Sequence, residues 1–195
     1  MKKIITTCVL ACATLLVSGC SMFGSGGVEI APYRVLEQDE KFELRHYDSL
    51  ILVSTPMSSL DEDRSPFYKL FNYISGDNDA EQDIAMTAPV FMDQADGETE
   101  TMSFVLPKDF SMADAPIPQN PDVKLEEITD YTVATITFNG LLRQGNIQKH
   151  QALLEDWIQE KNWKKTGPAK AAGYNPPFTI PALRRNEILI PVEKP

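Results

Sequence analysis

Residues 65 to 92 read SPFYKLFNYISGDNDAEQDIAMTAPVFM, and the fold turns on how they are parsed. Ser65 stands where a helix N-cap belongs, and Pro66 suits the first helical position because its missing N–H would be unpaired there anyway. Phe67, Leu70, Phe71 and Ile74 recur at i, i+3, i+4 and i+7, one apolar stripe down a short helix. Gly76 can take the left-handed conformation that ends a helix. Beyond an acidic loop, Ile84, Met86, Ala88 and Val90 alternate as a strand does, broken at Pro89. The stretch is a helix followed by a strand, with methionines near the join.

Working outward, the same order occurs twice. Before the helix lie a short strand at Tyr33 to Leu36, a strand at Lys41 to Tyr47 and an apolar strand at Leu50 to Val53; after it comes a strand at Thr101 to Leu106, set off by the Asp96-Gly97 turn. Phe42, Leu44 and His46 share one strand face, and Glu43, Arg45 and Tyr47 share the other. Lys108 to Asp122 holds Pro116, Pro118 and Pro121 and reads as a crossing loop. Then strands at Val123 to Ile128 and Thr132 to Phe138, a helix from Asn146 to Asn162, an irregular strand at Ala171 to Phe178 and a last strand at Asn186 to Val192 repeat the scheme. Asp48 corresponds to Asp130, Pro89-Val90 to Pro176-Pro177, and Phe104 to Pro107 corresponds to Ile188 to Pro191. The expected fold is α+β: a distorted antiparallel β-barrel flanked by two α-helices, built from two pseudo-symmetric ββαββ halves, about 28–107 and 123–195. Joining two half-sheets into a barrel removes most exposed edges.

The N-terminus reads as a leader. Lys2 and Lys3 precede an uncharged apolar run, Ile4 to Val17, too short to span a bilayer comfortably. Val17-Ser18-Gly19-Cys20 resembles a lipobox, in which the cysteine is acylated after cleavage. The expected organisation is a signal peptide at 1–19, a lipidated flexible tether at 20–27 and one domain at 28–195. Cys8 and Cys12 leave with the leader and Cys20 carries the lipid, so neither a disulfide nor a cysteine nucleophile remains. Loss of Lys2 and Lys3 takes the formal charge from −10 to −12. Such a surface repels phosphate backbones and anionic lipid, which argues against nucleic acid as a partner and leaves membrane attachment to the acyl chains. Ser21 after the lipid cysteine points, by analogy with enterobacterial lipoproteins, to the periplasmic side of the outer membrane.

FELRHYDS (Phe42 to Ser49), FNYISGDN (Phe71 to Asn78), IAMTAPV (Ile84 to Val90), AGYNPPF (Ala172 to Phe178) and RRNEI (Arg184 to Ile188) resemble, in order and spacing, the SOUL/haem-binding protein family. The resemblance covers nearly all of Val28 to Lys194. It implies a two-helix barrel made of similar halves and a binder of haem or other tetrapyrroles, with no established catalytic cycle. In members proposed to ligate haem iron through histidine, that histidine lies in the segment matched by Arg45-His46-Tyr47, which makes His46 the candidate axial ligand. A satisfied core histidine at a strand end is the other reading of the same position. The ligand face expected from the helix and the following strand comprises Phe67, Leu70, Phe71, Ile74, Met86 and Met92, which fit a tolerant apolar pocket or an ordinary core equally well. Arg45, Arg64, Lys69, Arg184 and Arg185 are the cations available to haem propionates, or else a solvated surface. His150, on the second helix, reads as a packing residue.

No nucleophile elbow, phosphate loop or dinucleotide fingerprint occurs, and Glu126-Glu127 and Asp61 to Asp63 read as solvated charges. The expected function is a membrane-anchored, periplasm-facing binder of haem or another planar hydrophobic ligand, not an enzyme. The alternative is an envelope scaffold lipoprotein that keeps the barrel without a bound tetrapyrrole.

Overall fold

A computed structural model describes residues 27–57, 65–94 and 100–195. The leader, Cys20, all of the tether but Gly27, the acidic Asp61 to Asp63, Arg64 and the Asp96-Gly97 turn lie outside those residues. The elements run β1 (Glu29–Ile30), β2 (Arg34–Asp39), β3 (Phe42–Pro56), α1 (Pro66–Ile74), β4 (Thr87–Ala88), β5 (Val90–Gln94), β6 (Thr101–Val105), β7 (Lys124–Phe138), α2 (Gln144–Glu160), β8 (Lys164–Lys165), β9 (Ala169–Gly173) and β10 (Asn186–Glu193).

Six strands close a barrel in the order β3-β6-β5-β9-β10-β7, with β7 returning to β3, and every pairing in the ring is antiparallel. β2 adds to the first part of β3, β8 to the end of β10, and β1 runs parallel to β4. The barrel and its two helices agree with the α+β expectation.

One expected division is absent. β3 and β7 are each continuous over 15 residues, where the sequence pattern divides each into two strands. They pair from Phe42 with Ile136 to Ser54 with Lys124, and the ladder passes over Asp48 and Asp130, which the flanking register sets opposite one another. Asp130 takes φ 52°, a left-handed conformation that aspartate tolerates better than most residues. The irregularity flips the alternation: Tyr47 faces the barrel interior before it, and Leu50 and Leu52 do so after it. A polar break in the pattern is thus an unpaired step at Asp48 and Asp130 inside two continuous strands, with the register kept on both sides, and not a turn between two.

Three apolar clusters result. The barrel interior holds Tyr47, Leu50, Leu52, Phe91, Val105, Val133, Ala172 and Leu189. α1 covers the outer side of β3 and β6, burying Leu70, Tyr73 and Ile74 against Ile51, Val53, Phe104 and Leu106. α2 covers β7 and β10, burying Leu154, Trp157 and Ile158 against Leu44, Ile136, Ile188 and Ile190. Strands buried on both faces carry near-continuous apolar runs, which explains Leu50 to Val53 and Ile188 to Ile190.

Candidate ligand-binding site

α1 is short and tightly fixed. The Ser65 carbonyl accepts the Tyr68 and Lys69 N–H groups, and Gly76 at φ 100° lets the chain turn away after Ser75. The Tyr73 hydroxyl donates to the Pro116 carbonyl at 2.9 Å, tying the helix to the crossing loop, and burial pushes that phenol up to about 12. Asn78, wholly buried, donates to the Tyr73 and Gln82 carbonyls and accepts the Gln82 N–H. FNYISGDN is a scaffold motif: Tyr73 and Asn78 set the helix position.

Tyr73 also decides which face is buried. With Leu70, Tyr73 and Ile74 inward, the helix is rotated so that Phe67 and Phe71 stand at its margin, 39% and 43% exposed, with Tyr68 62% exposed. The Phe67 and Phe71 rings lie 6.1 Å apart at 13°, and Phe67 rests edge-on against buried Phe104 at 5.3 Å. Tyr68 meets Phe67 edge-on at 6.2 Å. The expected single stripe is therefore split: Leu70 and Ile74 are core, while Phe67 and Phe71, joined by Tyr68, form an aromatic strip open to solvent.

The other expected residues are not gathered there. Met86 packs on the α1-side cluster, whereas Met92 pairs with Met102 and Ala171 and leans on the α2-side cluster. His46 sits on the outer side of β3, where Nδ1 meets the Thr132 hydroxyl at 3.0 Å and Nε2 faces Asp48 at 3.2 Å and Asp130 at 3.7 Å. Both ring nitrogens are thus engaged. The adjoining hollow, lined by Pro32, Tyr33, Arg34, Asp48 and Ser49, holds about 140 Å³, against roughly 300–1,000 Å³ for small-molecule pockets. His150 stacks on Phe138 at 4.0 Å and donates from Nδ1 to the Asn146 carbonyl, a packing role. Among the described residues no group of three His, Cys, Asp or Glu is placed to hold a metal ion.

The largest departure from the sequence pattern lies inside the barrel. Arg45, expected at a surface, is buried and forms a two-pronged bond to Glu187: Nη1 to Oε2 at 2.6 Å and Nη2 to Oε1 at 3.0 Å. Arg185 Nη2 reaches Oε1 at 2.7 Å, the Tyr174 hydroxyl donates to Oε2 at 2.8 Å, and Thr137 donates at 3.2 Å. Arg45 Nε also bonds Glu43, and the Arg45 and Arg185 guanidiniums lie over the Tyr33 and Tyr174 rings at 4.3 and 4.0 Å. Burial alone would raise the Glu187 carboxyl, but the two arginines outweigh it and hold the group down at about 2. Every lone pair of the carboxylate finds a donor, so the cluster joins β3 to β10 and is no proton relay. Sequence reasoning missed it because the partners are 142 positions apart. The available signal was an acid alternating with Leu189 in a strand whose other face is apolar.

These contacts also account for the propionate cations. Arg45 and Arg185 serve Glu187, Arg184 bonds the Thr179 and Pro177 carbonyls, and Lys69 pairs with Asp122 at 2.9 Å.

Residues 28–191 match the family model described as SOUL heme-binding protein. Heme-binding protein 2 of Mus musculus is 33% identical over 170 residues, covering 81% of each chain. Heme-binding protein 1 of Xenopus tropicalis is 27% identical over 176 residues, covering 84% of this chain and 92% of that protein. Among solved structures, the EcmrR C-terminal domain superposes with a TM-score of 0.56 at 18% identity, covering 84% of this chain and 99% of that one, a likeness of fold.

Proposed function

The chain belongs to the SOUL heme-binding protein family, and on that premise we propose that it holds haem, or another planar tetrapyrrole, against the aromatic strip of α1. A lipid on Cys20 keeps the barrel at the envelope, on the periplasmic side of the outer membrane. The observation that carries this reading is the Phe67–Phe71 pair, two near-parallel rings kept partly open at the margin of a helix whose other side, Leu70, Tyr73 and Ile74, is sealed to the barrel. An exposed apolar patch on a rigid support calls for an apolar partner. A flat macrocycle fits, because aromatic rings pair with it by offset stacking or edge contact. The names of the curated relatives support the ligand class.

In this reading the protein is a binder and not an enzyme. The contact is with the macrocycle face, and His46 stays with Thr132 and Asp48 and does not ligate iron. The test is titration of the purified full chain with haemin. A saturable one-to-one shift of the Soret band is expected, weakened about tenfold or more in Phe67→Ala/Phe71→Ala and unchanged in position in His46→Ala. Unsaturable uptake overturns the reading in favour of a scaffold lipoprotein, and undiminished affinity without the two phenyl rings overturns the α1 strip as the place where the ligand is held. For the anchor, an alkyne fatty acid fed to cells is expected to label the chain but not Cys20→Ser.

A further inference from the structure

The loop joining β9 to β10, residues 174 to 185, reads YNPPFTIPALRR. Three of its large apolar side chains stand in solvent: Phe178 is 85% exposed, Ile180 63% and Leu183 70%. The loop is nonetheless well braced. Thr179 N–H donates to the Pro176 carbonyl and Leu183 N–H to that of Ile180, closing a 3-10 turn at Pro181–Leu183. Arg184 donates to the carbonyls of Thr179 and Pro177. The turn before α2 holds it from outside, with Gly140 N–H on the Pro181 carbonyl and the Asn139 side chain on that of Arg184. A structured loop that keeps three large apolar groups outward needs an apolar medium to receive them.

Its position names the medium. At the loop's base Gly173 pairs with Val90, just past β4, and β4 pairs with β1. At its other end Arg185 donates to the Tyr33 hydroxyl. The loop thus springs from the end of the barrel where the described chain begins, and residues 1–26 join at that end. A seven-residue glycine- and serine-rich tether spans roughly 15 Å, which keeps that end of the barrel close to a lipid on Cys20. Residues 174 to 183 carry no charge, so entry into a bilayer boundary buries no ion.

We infer that residues 174–185 form a membrane-contact loop, with Phe178, Ile180 and Leu183 entering the headgroup–acyl boundary of the bilayer that carries the N-terminal lipid. The inference rests on the lipid-anchor reading above. The loop gives the barrel a second attachment and a fixed orientation, as stable anchoring generally requires two signals. Because residues 174–183 carry no charge, their contact with the bilayer is apolar and not weakened by salt.

The test places the full chain, wild type and Phe178→Trp, in phosphatidylethanolamine–phosphatidylglycerol vesicles with plain or brominated acyl chains. The emission added by Phe178→Trp loses most of its intensity in brominated vesicles, while that of Trp157 and Trp163, held under α2, does not change. In a second arm a protease cuts a site inserted in the tether. The released barrel then partitions to vesicles about tenfold more than Phe178→Ser/Ile180→Ser/Leu183→Ser, at low and high salt alike. Thermal melts of both variants verify folding, since the side chains are exposed. Unquenched emission from a chain that still sediments with vesicles overturns the loop and leaves the anchor standing. Absence of acyl label on Cys20 with the loop still partitioning overturns the anchor alone. Weakened haemin binding with unchanged partitioning assigns the loop to the ligand site and overturns the inference.

Discussion

α1 and α2 hold equivalent places in the two halves, each laid over the outer side of its own strands, yet they treat their aromatic side chains in opposite ways. α2 is 17 residues long and turns Trp157 inward, stacked on Phe42 at 5.2 Å, with Trp163 edge-on at 5.0 Å. α1 is 9 residues long and leaves Phe67, Tyr68 and Phe71 at the surface. The copies have kept the same packing problem and solved it to different completeness. Where the aromatics are sealed, they act on stability. Where they are left open on a rigid helix, they are free for a ligand.

The most damaging way to break this comparison is to remove what both helices stand on. β3 runs beneath both, carrying Leu44 under α2 and Ile51 and Val53 under α1, and the Arg45–Glu187 pair ties it to β10. Glu187→Gln leaves the buried Arg45 and the half-buried Arg185 guanidiniums facing a neutral amide, and about 4 kcal/mol of stability should be lost, read by urea unfolding. An unchanged midpoint would mean that the cluster is idle. Acid attacks the same joint without a mutation. In the unfolded chain Glu187 takes a proton near 4.5, whereas in the folded barrel it resists until about 2. Between those values the unfolded state binds more protons, so stability is full above about pH 4.5 and falls as pH drops toward 2. Glu187→Gln should flatten that part of the profile.

Smaller effects sharpen the contrast between the helices themselves. Trp157→Ala removes a sealed aromatic and should cost about 3 kcal/mol while leaving haemin affinity unchanged. Phe71→Ala should cost less than about 1 kcal/mol and yet weaken haemin binding. If the two substitutions exchanged these outcomes, the division of labour between the helices would be wrong.

Much of the fold is legible in the sequence because it depends on local periodicity. The helix beginning at Pro66, the stop at Gly76, the second helix and the last strand follow from spacing, capping and glycine. The repeat follows from corresponding prolines and aspartates. The site is only half legible. Phe67 and Phe71 are in the expected stripe, but so are Leu70 and Ile74, and spacing treats all four alike. Tyr73 separates them, by needing both burial and the Pro116 carbonyl. His46 illustrates the same limit. Alternation puts it with Phe42 and Leu44, but it does not say that this face lies outside the barrel, under α2, with the charged-looking face inside.

The sequence by itself determined the two helices, the repeated scheme around them and the barrel as the way to close two half-sheets, since each rests on the 2.0- and 3.6-residue periods of the backbone. Tertiary structure alone decided which side of each strand faces in, because helices cover the outer side and both sides are therefore buried. It also decided that Arg45 and Glu187 belong in the interior, with Arg185 at its margin. A buried charge is tolerated only beside its partner, and the partner of Arg45 comes from the far end of the chain.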